Sequence, residues 1–143
     1  MAPIVDVNLG EKSGVVGKGT WLVEIETAEM DEQTNGPVLV CRASVVEPEA
    51  NKGQAHFERI TVGDEKFGWV LDRWLNAFGV ETPDDEAQRA NFAFDTDDLI
   101  GKSGIVVLVE QKDNPMYTNT RGVFPASAAA DHKFGPAEEV EAV

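Results

Sequence analysis

Lys66-Phe67-Gly68-Trp69-Val70-Leu71-Asp72-Arg73-Trp74-Leu75-Asn76-Ala77-Phe78-Gly79 places its apolar side chains at intervals of three and four. Phe67, Val70, Leu71, Trp74, Leu75 and Phe78 therefore share one face of an amphipathic helix. Asp64 stands where an N-cap is wanted, and Gly79 at the C′ position where a left-handed residue ends a helix. Trp74 lies on the apolar stripe and reads as core. Trp69 falls off it, beside Asp72 and Arg73. It reads as a half-buried edge of the stripe, with an exposed stacking or protein-contact residue as the alternative.

Upstream the period is two. After a lead-in run (Ile4, Val5, Val7) and a Gly-rich stretch, residues 20–30 alternate: Trp21, Val23 and Ile25 face one way, Leu22, Glu24 and Glu26 the other. Gln33-Thr34-Asn35-Gly36-Pro37 is a hairpin turn, because Asn-Gly supplies positive φ. Residues 38–46 form a second, nearly continuous apolar strand broken by Arg42 and Ser44. Residues 48–53 turn the chain, and residues 54–62 form a third strand, with Phe57 and Ile60 apolar and His56, Glu58 and Arg59 polar.

Downstream of the helix, residues 80–98 are acidic and Pro-interrupted, with Phe92 and Phe94 embedded and room for one helical turn at 85–90. Residues 105–110 and 116–124 read as two more strands, separated by the turn Asp113-Asn114-Pro115. Residues 126–143 are rich in Ala, Pro and Glu and read as a flexible acidic tail behind a domain spanning 1–125. The order is three strands, a helix, two strands. A five-stranded OB-like barrel with a helix between strands 3 and 4 has that order. A sheet packed on one helix has it too.

At 143 residues the chain is one domain's worth. Its apolar runs are too short to span a bilayer, and residues 1–10 lack the pattern of a secretory signal. The single cysteine, Cys41, precludes an internal disulfide framework and a Cys-rich zinc site. It reads as a small core residue in a reducing cytoplasm. The net charge of −14 opposes phosphate binding taken alone, but the acid is unevenly spread. Residues 41–80 carry six acidic and five basic side chains, and residues 99–130 two acidic and three basic, whereas residues 81–98 carry seven and one.

The ordered pieces Gly19-Thr20-Trp21, Ile25, Ala28-Glu29, Asn35-Gly36-Pro37, Lys52-Gly53, Leu75-Asn76-Ala77-Phe78-Gly79, Asp98-Leu99-Ile100-Gly101-Lys102 and Asn119-Thr120-Arg121-Gly122-Val123 resemble a family of phage-encoded single-stranded-DNA-binding proteins. These come from replication and recombination regions and are often grouped as an uncharacterised domain. The resemblance covers residues 18–125. It implies an OB-like fold, a non-enzymatic role coating single-stranded DNA in the host cytoplasm, and an acidic tail (Glu138, Glu139, Glu141) that recruits replication or recombination proteins. A homodimer is compatible with it. The chain departs from the family in being poor in Lys and in ending Glu141-Ala142-Val143 without a terminal aromatic.

Sequence-tolerant binding of single strands needs cations along the phosphates and aromatic faces for the bases. The candidates are Arg42, Lys52, His56, Phe57, Arg59, Lys102, Lys112, Tyr117 and Arg121. Each alone reads first as a solvated surface residue, and only the set as a whole weighs evenly between surface and groove. Arg59 and His56 are expected to line one groove with Arg42, and Tyr117 and Arg121 to close it. The carboxylates at 84–86 and 95–98 lack the spacing of a calcium loop or two-metal site. No nucleophile elbow, P-loop or dinucleotide fingerprint occurs. No catalytic residue, metal or cofactor is expected. The competing reading of the net charge is an acidic interaction module, or a DNA mimic that occupies a host enzyme's DNA channel.

Overall fold

The computed structural model describes residues 4, 14–33, 36–62, 66, 68–90, 92–113 and 118–137. The expected order holds. Strands β1 (Gly19–Gln33), β2 (Gly36–Glu47) and β3 (Ala55–Thr61) precede helix α1 (Gly68–Ala77), and β4 (Ser103–Glu110) and β5 (Thr118–Pro125) follow a connection carrying the short helix α2 (Glu86–Ala90). These strands pair antiparallel in one sheet of order β3-β2-β1-β4-β5. A two-residue strand β6 (Gly135–Pro136) adds to the start of β1. Of the turn at 33–37, residues 34 and 35 lie outside the described residues, but Gln33 pairs with Gly36, so the hairpin is tight. The lead-in strand at 4–7 lies outside them apart from Ile4, as does the N-cap candidate Asp64.

β1 is long because it serves two partners in succession. Residues 19–24 pair with β4, while residues 22–33 pair with β2. Register shifts at Leu22/Val23 and Ile25/Thr27 bend it where one pairing hands over to the other. There the Ile25 N–H donates to the Lys102 carbonyl and the Gly101 N–H to that of Ile25.

The core is built from the inward positions. Trp21, Val23 and Ile25 on β1, Leu39, Cys41, Ala43 and Val45 on β2, Ile60 on β3, and Val106 and Leu108 on β4 are buried with Trp74, Leu75 and Phe78 at α1 and its C-terminal end. The helix ends as its sequence requires. The Val80 N–H reaches the Leu75 carbonyl at 2.8 Å and the Gly79 N–H that of Asn76 at 3.2 Å, a Schellman closure with Gly79 at φ 84°. Phe78 packs directly over Gly104, where a Cβ would stand 2.8 Å from the Phe78 ring.

The connection at 80–98 is tied to α1 through Asp72. Its carboxylate accepts from Asn76 at 2.7 Å, from Arg89 at 2.6 Å and from the Thr82 hydroxyl. The expected helical turn is α2.

The boundary expected at 125/126 does not hold. Residues 126–131 form a 3-10 helix against β4 and β5, and residues 135–136 pair with Gly19 and Thr20. The physical reason is Ile105, which points away from the main core yet is 0 % exposed. The returning segment covers that outer face, and the His132 ring packs at a tilt against Phe124, centroids 4.7 Å apart. Glu138, Glu139 and Glu141 lie outside the described residues.

Candidate nucleic-acid interface

A strand sends alternate side chains to opposite faces, so burial of Leu39, Cys41 and Ala43 turns Val40, Arg42 and Ser44 outward. In register, Arg42 faces Phe57 and Val40 faces Arg59 across β2 and β3. The Arg42 guanidinium sits over the Phe57 ring at 5.9 Å, and Phe57 is 51 % exposed. A cation and an aromatic face thus lie side by side on the outside of the sheet, with the exposed Arg59 two residues along β3.

The opposite flank is acidic. On β1 the exposed Glu24, Glu26, Glu29 and Asp31 border the same surface, and Arg42 pairs with Glu26 at 3.7 Å. Arg59 has no ion-pair partner among the described residues. The face is therefore polarised, cationic and aromatic toward β3 and anionic toward β1. A phosphate backbone would be drawn to the β3 side.

His56 does not belong to this surface. Strand parity places it, with Glu58 and Ile60, on the inner face, where it is 5 % exposed. Its Nε2 meets the Glu58 carboxylate at 2.8 Å. The same carboxylate oxygen accepts from the Thr120 hydroxyl at 2.7 Å, which links β3 to β5, the two ends of the strand order. Cys41, on the same inner side, has its thiol pushed up to about 11 by burial, with the Trp74 indole opposing the rise and Glu58 adding to it. The buried Trp74 N–H makes no regular hydrogen bond among the described residues.

The remaining candidates scatter. Lys52 is exposed in the turn after β2, on a cleft shared with Glu24, Glu26, Glu49 and Ile100. Lys102 is exposed beside that cleft, and Lys112 is exposed after β4. Arg121 is exposed at the register shift of β5, next to Thr120. Tyr117 lies outside the described residues. The structure thus brings together Arg42, Phe57 and Arg59, and sets Arg121 beside the β3–β5 link.

Of the two sequence readings of Trp69 the structure takes the second, the exposed one, and adds Arg73 as its neighbour. Trp69, read first as half-buried, is 62 % exposed, and the Arg73 guanidinium lies 5.2 Å from its ring. The Arg73 Nη1 donates to the Arg121 carbonyl at 3.3 Å. The signal was available: Trp69 and Arg73 are four apart on a helix, off the apolar stripe, and such residues are surface neighbours.

The chain matches no protein-family model and no curated protein. Among the described residues, no group of His, Cys, Asp and Glu is placed to hold a metal ion, and no helix is long and apolar enough to cross a membrane.

Proposed function

We propose that this chain binds single-stranded DNA on the outward face of β2 and β3, as a phage-type protein of replication or recombination with an OB-like barrel. The observation that carries the reading is the exposed Arg42–Phe57 stack with Arg59 beside it. Bases stack on such an aromatic face while the guanidinium groups meet the phosphates. The barrel reading is supported by the strand order β3-β2-β1-β4-β5 with a helix between β3 and β4, and by the Thr120–Glu58 hydrogen bond between its outermost strands. On this reading the acidic residues 138, 139 and 141 recruit protein partners and shield the groove.

The test is fluorescence anisotropy of a labelled poly-dT oligonucleotide at low and moderate salt. Phe57→Ala should weaken binding by about 1–3 kcal/mol, the scale of one stacked base. Charge reversal of Arg42, Arg59 and Arg121 together should weaken it further and flatten its salt dependence. The log–log slope should fall by about 0.7 for each phosphate that is no longer neutralised. Unchanged binding by the triple variant would sink the assigned face.

The exposed carboxylates along β1 and the net charge of −14 favour a second reading, an acidic interaction module or DNA mimic. The parent protein would then fail to bind the oligonucleotide at low salt, and would capture a host nuclease or polymerase in stoichiometric amount.

A further inference from the structure

The helix carries an aromatic–cation pair that the β2–β3 face does not use. Trp69 is largely exposed although the other two tryptophans, Trp21 and Trp74, are each 1 % exposed. The exposed indole offers a broad flat apolar face on which a ring can stack. Arg73 lies over it, and is itself held from the other side by the Arg121 carbonyl of β5. The Nη1 bond to Arg121 and the contact with the indole together fix the guanidinium beside the ring. The nearest acid in sequence, Asp72, is already engaged by Thr82, Asn76 and Arg89, the first holding its carboxyl below the usual range together with Arg89 and Asn76. Its negative charge is offset by the Arg89 guanidinium 2.6 Å away.

We propose that Trp69 and Arg73 form a second stacking station for a base of the same single strand, beyond the β2–β3 face. The inference rests on the single-strand-binding reading and extends it. The connection is physical: Arg59 adjoins Glu58, Glu58 bonds Thr120 of β5, and the next residue, Arg121, holds Arg73 through its carbonyl. Exposed Arg59 and Arg121 flank that joint. On this proposal the strand runs from Phe57 past Arg59 and Arg121 to the indole. Stacking on Trp69 with Arg73 alongside is the chemistry by which single strands are held without sequence preference. A double helix, whose bases are already stacked, would gain nothing there.

Tryptophan emission reads this directly, since two of the three indoles are buried. Titration of the intact chain with poly-dT should quench emission in step with the rise in anisotropy. Trp69→Phe should bind with near-parental affinity and lose the quench. Trp69→Ala should lose the quench and weaken binding about tenfold, one stacked base on the scale of single-strand proteins. Emission of Trp21 and Trp74 in both variants reports that the fold is intact. Binding by anisotropy with no quench, and with Trp69→Ala unaltered in affinity, overturns the second station and leaves the β2–β3 face standing. Failure of the parent to bind at low salt overturns both.

Discussion

At the residue scale, Gly104 and Asp72 show how a local feature holds a larger one. Gly104 is the floor under Phe78, and the closest Phe78 atom lies 2.8 Å from where a Cβ would stand. Gly104→Ala must push the ring or the strand, and overpacking of this kind costs about 1–3 kcal/mol. A lower denaturant midpoint at unchanged m-value would record it. Asp72 anchors the 80–90 connection, and its carboxyl is held below the usual 3.8, first by the Thr82 hydroxyl and then by Arg89 and Asn76. A carboxyl with a depressed native pKa adds stability above its unfolded pKa and loses it as the pH falls through the native value. Asp72→Asn should therefore speed amide exchange in residues 80–90 at neutral pH. Its difference in thermal stability from the parent should shrink below about pH 4, where the unfolded carboxyl is itself protonated.

At the element scale, one half-buried carboxylate bridges β3 and β5. Glu58 accepts from His56 and from Thr120. Thr120→Val keeps the shape and deletes the donor, leaving part of Glu58 unsatisfied; such a loss costs about 1–3 kcal/mol. If that hydrogen bond holds the outer strands together, the variant should also raise proteolytic cleavage near β5. Equal protection in the two proteins would show that the α1 packing alone holds them. The neighbouring strand β3 explains why the site was half legible. In it, Phe57 and Ile60 are both apolar but of opposite parity, so a period of two cannot bury both. The structure buries Ile60 and His56, turns the half-buried Glu58 the same way, and turns out Phe57 and Arg59. The polar pair went inside because a partner from the other end of the sheet was there to meet it.

At the scale of the whole molecule, the C-terminal return is part of the fold. Ile105 is fully buried on the outer side of β4, under residues 126–131, and β6 closes on Gly19. Gly19 sits at φ 153°, and a Cβ there would lie 2.9 Å from the Pro136 Cα. A chain ending at 125 should lose several degrees in Tm, through exposure of about one large aliphatic side chain and its neighbours. A chain ending at 137 should keep the parental Tm and, if the acidic residues beyond it shield the groove, bind poly-dT more tightly and with less salt sensitivity. Equal Tm for all three lengths would show that the return contributes nothing to stability.

Local pattern was enough to specify the elements: the period of three to four over 66–78, the alternation in β1, the hairpin at 33–37, and hence the order of strands around one helix. These are properties of neighbouring residues, and local stereochemistry states them without reference to the rest of the chain. Arg42, Phe57 and Arg59 were also legible as cation and aromatic types on adjacent strands. Long-range packing was needed to settle which face of β3 is outside, that β5 meets β3 through Glu58, and that residues 126–137 fold back over Ile105. Each of these rests on residues far apart in sequence, where burial of one group is governed by the shape and hydrogen-bonding capacity of a distant partner.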